Sequence, residues 1–367
     1  GGSKFDHVVF NADFSKEVST GVNAYFGTEA RHEKYQVIAG EVNAYTTGGP
    51  DSYAGNHPKD SFSSTRSNYG FYGGALVDVS KQFVIDATGR YEKYSDFGKA
   101  FVGKLSGKYN FDDMLTLRSS VSTGFRAPSL HQIYTSKSQY SFVPGSGIQV
   151  SGLASNVSSA VAGLEVDKLK AEKSTSFTLG LGFKPSKNTS MTLDYYKINL
   201  KDRIILGKEI VPTGNPNNTV DKVFATQAEK IVSISFFLNA IDSTTSGLDY
   251  VFSHRNMQVG DGKLAFNLSG NYSLKNERVG AVHNPASVVQ AGQSVVDITQ
   301  EALMFTSRPK FKTLFGFDYD IKDFNFSLNN TVFGPTTFRN AGMDQNLSVE
   351  FKTKTVSDFS VNYQVSK

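Results

Sequence analysis

The strongest constraint in this sequence is a two-residue alternation of apolar and polar side chains, repeated in blocks of about ten residues along the whole chain. Between positions 83 and 92, Phe83, Ile85, Ala87, Gly89 and Tyr91 share one face, while Asp86, Thr88, Arg90 and Glu92 share the other. A helix would scatter both sets around its axis; a strand separates them cleanly. Phe101, Gly103, Leu105, Gly107, Tyr109 and Phe111 repeat the design against Lys104, Ser106 and Lys108. Leu115, Leu117, Val121, Thr123 and Phe125 oppose Arg118, Ser120, Ser122 and Arg126 in the next block. Similar apolar faces recur at Val22/Ala24/Phe26, Phe177/Leu179/Leu181/Phe183, Phe266/Leu268/Gly270/Tyr272 and Phe311/Thr313/Phe315/Phe317/Tyr319. The pattern predicts thirteen strands, near 5–14, 21–34, 69–80, 83–94, 99–111, 114–126, 174–184, 190–206, 231–256, 263–277, 304–320, 323–336 and 350–365.

The connections between these strands fall into two alternating classes. Tight turns such as Ser80-Lys81-Gln82, Asp112-Asp113 and Lys322-Asp323 alternate with long segments rich in Gly, Ser, Asn and Thr, broken only by the short 95–98 link. Outer-membrane barrels sort their loops in this way, with short turns on one side and long loops on the other. Phe101 and Tyr109 bracket Gly103, Leu105 and Gly107, a separation that covers roughly 21 Å of membrane normal for a tilted strand. A soluble antiparallel sheet would show the same alternation with its apolar side packed inward. Small Gly and Ala residues on the apolar face favour lipid, because a dry core of this size calls for larger aliphatics. The expected fold class is therefore all-β, a transmembrane antiparallel up-and-down β-barrel with about thirteen strands in this chain.

Composition closes off other classes. The 367 residues are 39% hydrophobic and 20% charged with a net charge of +4, which excludes a disordered chain and offers no basic blanket for nucleic acid. No cysteine is present, so disulfides, thiolate metal sites and thiol nucleophiles are excluded. With 33 glycines, 29 Phe and 17 Tyr against no Trp, the mix favours strands and close backbone contacts. There is no apolar run of transmembrane-helix length, and the sequence opens without the basic-then-apolar pattern of a signal peptide. Catalytic motifs fail on inspection. His32-Glu33 lacks the second His of a zinc-protease helix, and the 98–105 segment has Leu105 where a phosphate loop needs Ser or Thr.

Several segments together carry a family resemblance: Gly89-Arg90-Tyr91-Glu92-Lys93-Tyr94-Ser95-Asp96-Phe97-Gly98, then Gly124-Phe125-Arg126-Ala127-Pro128-Ser129-Leu130, then Leu169-Lys170-Ala171-Glu172-Lys173-Ser174, Leu193-Asp194-Tyr195-Tyr196 and Ser246-Gly247-Leu248-Asp249-Tyr250. In that order and spacing they resemble the C-terminal part of the barrel of TonB-dependent outer-membrane receptors. The resemblance implies a barrel of about 22 strands closed by an internal plug, located in the outer membrane of a Gram-negative bacterium. It implies import of a scarce nutrient of the siderophore-iron, cobalamin, glycan or peptide class, energised by a TonB-ExbB-ExbD complex acting on the plug. Residues 1–367 are then one partial transmembrane barrel domain, roughly the eighth to the twentieth family strand. Long extracellular loops are expected near 35–68, 127–173, 207–230, 278–303 and 337–349, with plug, TonB box and closing strands outside this chain. Expected partners are outer-membrane lipid, the TonB complex and a surface lipoprotein or other outer-membrane protein; no cofactor and no enzymatic activity are implied.

Candidate residues follow from the alternation. Glu29, Arg31, Glu33, Arg90, Glu92, Lys104, Arg118 and Arg126 fall on the polar face, where they would hold the plug or line the substrate route, or simply keep a wet wall polar. Arg126 is the leading plug contact. His131, Gln132, Tyr134, Tyr140 and Phe142 form an aromatic and amide set in the longest loop, suited to substrate binding or to ordinary loop packing. His57 and His283 are isolated imidazoles, and no metal site is expected from spacing. Two other functions stay open: a passive or differently gated channel, and a soluble β-sandwich adhesin or lectin-like module, in which the apolar residues would converge on a dry centre.

Overall fold

The computed structural model describes residues 1–45, 55–143, 147–227, 231–342, 344 and 347–365. Thirteen strands form one sheet: β1 (Gly2–Ser19), β2 (Val22–Ile38), β3 (Phe62–Asp78), β4 (Phe83–Tyr94), β5 (Gly98–Asn110), β6 (Leu115–Arg126), β7 (Glu172–Ser186), β8 (Thr189–Leu206), β9 (Phe237–Val259), β10 (Gly262–Val279), β11 (Phe311–Ile321), β12 (Phe324–Phe333) and β13 (Lys354–Tyr363). Each pairs antiparallel with its neighbours in sequence, so the sheet is an uninterrupted meander. Within the described residues the outer edges of β1 and β13 have no ladder partner.

The register places like faces together. Tyr91 lies opposite Phe101, Leu105 opposite both Ala87 and Val121, and Phe317 between Phe266 and Leu328. These apolar groups do not converge on a dry centre. Phe101 is 75% exposed, Phe26 62% and Phe359 67%, with no second layer packed on them. That exposure is tolerable only in hydrocarbon, and it removes the β-sandwich reading. No helix among the described residues is long and apolar enough to cross a membrane, which says nothing about crossing by strands.

Dry packing occurs instead in the long connections at one end of the sheet. Val161, Leu164, Ile210, Val220, Phe224, Ile234, Phe236, Ile241, Val288 and Val295 form a buried apolar cluster drawn from 127–171, 207–236, 280–310 and the adjoining end of β9. Three short helices, Ser159–Gly163, Thr219–Ala225 and Ala286–Gln290, supply much of it. Buried Asn156 clamps the assembly: its Nδ2 donates to the carbonyls of Asp167 and Phe237, and its Oδ1 accepts from Leu169 N.

The strand expected over 231–256 divides here. Residues Ile231–Ser235 leave the main sheet to pair in parallel with Gly147–Leu153, which pairs with Lys137–Val143, and Phe236 turns into the loop core. Alternation continues through both halves, so hydropathy does not mark the break. Residues 304–306, expected as strand, belong to a π-helical turn spanning Ala302–Thr306. Conversely, β3 begins at Phe62 and β2 runs to Ile38, because strand pairing outlasts the apolar band.

One irregularity opens the wall. Pairing between β5 and β6 stops at Lys104 and Ser122, although β5 stays paired to β4 as far as Gly98 and β6 to β7 as far as Arg126. A cleft of about 1580 Å³ occupies the divergence.

Orientation makes a direct test possible. An arginine at Leu105, on the apolar face of β5, is expected to cost about 2–4 kcal/mol of membrane-folded stability, while an arginine at neighbouring Ser106 costs under about 1 kcal/mol. Urea titration in lipid vesicles measures both, and the reverse order would mean that the polar face meets lipid.

Candidate functional site

The polar face of β2, β3 and β4 is built around a gap. Register aligns Glu29, Gly70 and Glu92 in one row across the three strands. Because Gly70 has no side chain, Arg90 of β4 reaches across β3. Its Nε donates to Glu92 Oε1 at 2.5 Å and its Nη2 to Glu29 Oε2 at 3.2 Å. A Cβ on Gly70 would lie 2.8 Å from that Nη2. Glu29 Oε1 accepts from Arg31 Nη2 at 2.8 Å, and Arg31 Nη1 stands 3.8 Å from Glu33. Arg66 continues the chain, with Nη1 3.7 Å from Glu33 and a fork onto Asp96 at 2.6 and 2.9 Å. Glu92 Oε2 also accepts from Asn68 Nδ2 and from the Tyr94 hydroxyl. Three guanidinium groups therefore alternate with four carboxylates in one network. Such pairing is needed because Arg66, Asn68 and Glu92 are buried, and a lone charge at that depth is costly. One donor is left over: Arg31 Nε is buried with no acceptor.

The same device recurs. Tyr25 of β2 passes Gly74 to donate to Asp86 of β4, and Tyr72 of β3 passes Gly27 to bond Asp13 of β1. Arg118 of β6 crosses Gly180 of β7 and forks onto Asp194 of β8 at 2.6 and 2.9 Å.

Arg126 ends β6 at the loop side, where it forks onto Glu172 at 2.5 and 2.6 Å. Glu172 is nearly inaccessible, and Arg126 is about half open. A five-residue helix, Leu130–Tyr134, follows directly. It begins with a capping box in which Gln132 N donates to Ser129 Oγ and Ser129 N donates to Gln132 Oε1. Arg126 Nη1 approaches the same Gln132 oxygen at 3.4 Å. The His131 ring sits edge-on between Tyr35 and Phe237, 5.9 and 5.6 Å away, and Tyr134 faces Phe62. Burial against these rings pushes His131 below its ordinary pKa.

Glu29, Arg31, Arg90, Glu92, Glu33 and Arg126 thus border one recess of about 410 Å³, together with Arg66, Tyr94, Phe5 and Phe125. Arg118 does not join them: it lies eight residues down β6 from Arg126, roughly 27 Å away along the strand. Lys104 faces the separate cleft between β5 and β6. In the loop set, His131, Gln132 and Tyr134 share the rim helix, Gln132 being occupied by its cap. Tyr140 lies in the Lys137–Val143 strand of the rim. The Phe142 side chain lies outside the described residues. Sequence reasoning overlooked Arg66, Asn68 and Asp96. Phe62, Ser64, Arg66, Asn68, Gly70 and Tyr72 share one face of β3, but the polarity of residues 62–68 reads as loop.

Two measurements probe this wall. In Gly180→Ala the added Cβ would sit 1.9 Å from Asp194 Oδ1, so a loss of about 1–3 kcal/mol is expected in urea unfolding. The loss should shrink to a few tenths in an Arg118→Ala/Asp194→Ala background; an unchanged loss would mean that the glycine serves something else. For His131, the neutral ring is the one the fold accepts. Its packing contribution is intact above the unfolded value of about 6.5 and weakens as pH falls toward the lower folded value. Loop protection factors, corrected for the intrinsic pH dependence of amide exchange, should therefore fall on acidification in the native protein and stay flat in His131→Phe.

The sequence model of the family described as TonB dependent receptor-like, beta-barrel, matches residues 3–367. Among solved structures, the chain is similar to the siderophore receptor PirA of Acinetobacter baumannii (TM-score 0.65, 15% identity), covering 99% of this chain and 49% of that one. It is similar to a ferric enterobactin receptor mutant from Pseudomonas aeruginosa in complex with enterobactin (TM-score 0.68, 15% identity, 100% of this chain and 47% of that one). The FrpB iron transporter of Neisseria meningitidis shares the fold as well (TM-score 0.61, 12% identity, 99% of this chain and 48% of that one). No curated protein matches the sequence. At these identities the structures speak for the fold, and the chain spans about half the length of each. With the family match running over nearly every residue, this chain belongs to the β-barrel family of TonB-dependent receptors of the Gram-negative outer membrane.

Proposed function

We propose that the chain is the recognition-bearing part of a receptor that takes up an iron-siderophore complex by TonB-coupled transport. The observation that supports this reading is the 410 Å³ recess at the loop end of the polar face, where four arginines, Arg31, Arg66, Arg90 and Arg126, meet three glutamates beside Tyr94, Phe5 and Phe125. Many ferric chelates are compact octahedral anions rich in oxygen, and those built on catechols also carry aromatic arms. Guanidinium forks match such oxygens and aromatic rings match their faces. The arginines are already held by carboxylates, so they are preorganised, and an anionic ligand exchanges partners with them instead of ordering loose side chains. Arg126 and Arg31 are the more open of the four. The neighbouring structures named as siderophore and ferric enterobactin receptors favour the iron-chelate class over cobalamin, glycans or peptides.

In this reading the wall faces a lumen too wide for its own side chains to fill, and a plug gates it. The TonB-ExbB-ExbD complex would act on that plug, while lipid covers the Phe, Leu and Val face. The loop core makes the rim a firm platform, as recognition of a rigid chelate requires.

Radiolabelled iron uptake by cells expressing the full receptor tests the reading. An Arg31→Ala/Arg126→Ala variant, present at normal surface level, should lose about 10- to 100-fold in affinity for an anionic ferric siderophore. Uptake should stop when TonB is removed. Transport that persists without TonB would establish a passive channel instead, and dependence of cobalamin, glycan or peptide uptake alone would reassign the substrate.

A further inference from the structure

We propose that Asp202, Asp242 and His283 form a divalent transition-metal site that fastens the loop assembly to the wall. Their ligand atoms, two carboxylate oxygens and an imidazole nitrogen, all lie within 4.8 Å of one another. They come from three separate segments: the end of β8, β9, and the connection from β10 to β11.

The fold brings them together through a bulge. Leu200 pairs with Ser243 and Arg203 with Ile241, so Lys201 and Asp202 together oppose the single residue Asp242. Asp202 takes a left-handed φ of +55°, uncommon for a residue with a side chain. Hydrogen bonds hold it there: its N–H donates to Asp242 Oδ1 at 2.9 Å, and its carbonyl accepts from Asn239 Nδ2 at 2.6 Å. The backbone N–H of His283 donates to the Ala240 carbonyl at 2.8 Å, which sets the imidazole beside the pair. Asn284 then ties the following chain to Ser294 and Val295, at the edge of the loop core.

Charge favours the assignment. Glu29, Glu92, Asp96, Asp194 and Glu172 are each answered by an arginine, but among the described residues neither Asp202 nor Asp242 has a lysine or arginine at ion-pair distance. Lys170, which lines the adjoining recess, is held by Asp167, and a dication would balance the two facing carboxylates. A recess of about 350 Å³ lined by Asp202, His283, Asn284, Asp167 and Glu165 adjoins the trio and leaves space for water ligands. Mixed carboxylate and imidazole donors suit zinc or a similar first-row ion better than calcium or magnesium. Around tetrahedral zinc, ligand atoms stand about 3.3 Å apart, so the trio must close by roughly 1.5 Å. The exposed His283 side chain has room to move that far. The recess beside the trio shares no lining residue with the arginine recess, and zinc binding is measured whatever is transported.

The test is zinc titration of the full receptor in detergent, after chelator treatment, by calorimetry and by thermal unfolding. Native protein should bind one zinc ion with micromolar or tighter affinity and unfold at a higher temperature when loaded. Asp242→Asn and His283→Ala should each weaken binding at least about tenfold and abolish the thermal gain, while His57→Ala leaves both intact. Heat-dependent mobility on gels verifies that each variant is folded. Absence of saturable binding in the native protein, or equal binding in the folded variants, overturns the proposal; siderophore transport is unaffected by either result.

Discussion

Hydrocarbon offers no hydrogen-bond partners, and that single fact shapes this chain. Each N–H and C=O that enters the membrane must be bonded inside the sheet, which leaves a continuous antiparallel meander as the available solution. Twelve successive pairings from β1 to β13 meet that demand. Once the backbone is satisfied, side chains are free to differ completely on the two faces. One face carries Phe, Leu and Val with no protein layer over them, and the other carries arginines, acids and tyrosines in ordered rows.

The polar rows show how a single-layer wall becomes rigid without a core beneath it. Most ties in a sheet join adjacent strands, but here long polar side chains also join a strand to the next but one, over a glycine. The loop end uses the opposite strategy. There the long connections fold onto one another as a small soluble domain would, with valines and isoleucines inside and Asn156 satisfying three backbone groups at its edge. The two halves of the molecule therefore obey different solvents, and the arginine recess sits where they meet.

Most of the sheet could be read from alternation, because lipid demands an apolar residue at every second position and the chain complies. Strand ends could not. Residues 62–68 pair beyond the apolar band, where one face is exposed and the other carries the buried polar Arg66 and Asn68, and their polarity imitates a loop. Ile231 to Phe236 deceived in the other direction: the segment alternates like a membrane strand yet turns into the loop core. Most of the arginine network was visible from face assignment alone, since Glu29, Arg31, Glu33, Arg90 and Glu92 alternate in recognised strands. Arg66 was hidden by the misplaced start of β3, and the meeting of Asp202, Asp242 and His283 depends on a bulge and a distant loop that no local spacing records.

The glycine gaps also bear on how the chain finds its alignment during folding. Sliding one strand by a single residue turns every greasy group toward water, so the pattern of hydropathy forbids odd slips. A slide by two residues escapes that penalty, because inside and outside are preserved. It would, however, bring Asn68 or Tyr72 beneath the arm of Arg90 in place of Gly70, and Thr178 or Gly182 beneath Arg118. In three of those four alignments a side chain blocks the crossing, so a handful of residues without side chains discriminates against the even errors to which an alternating sequence is otherwise blind.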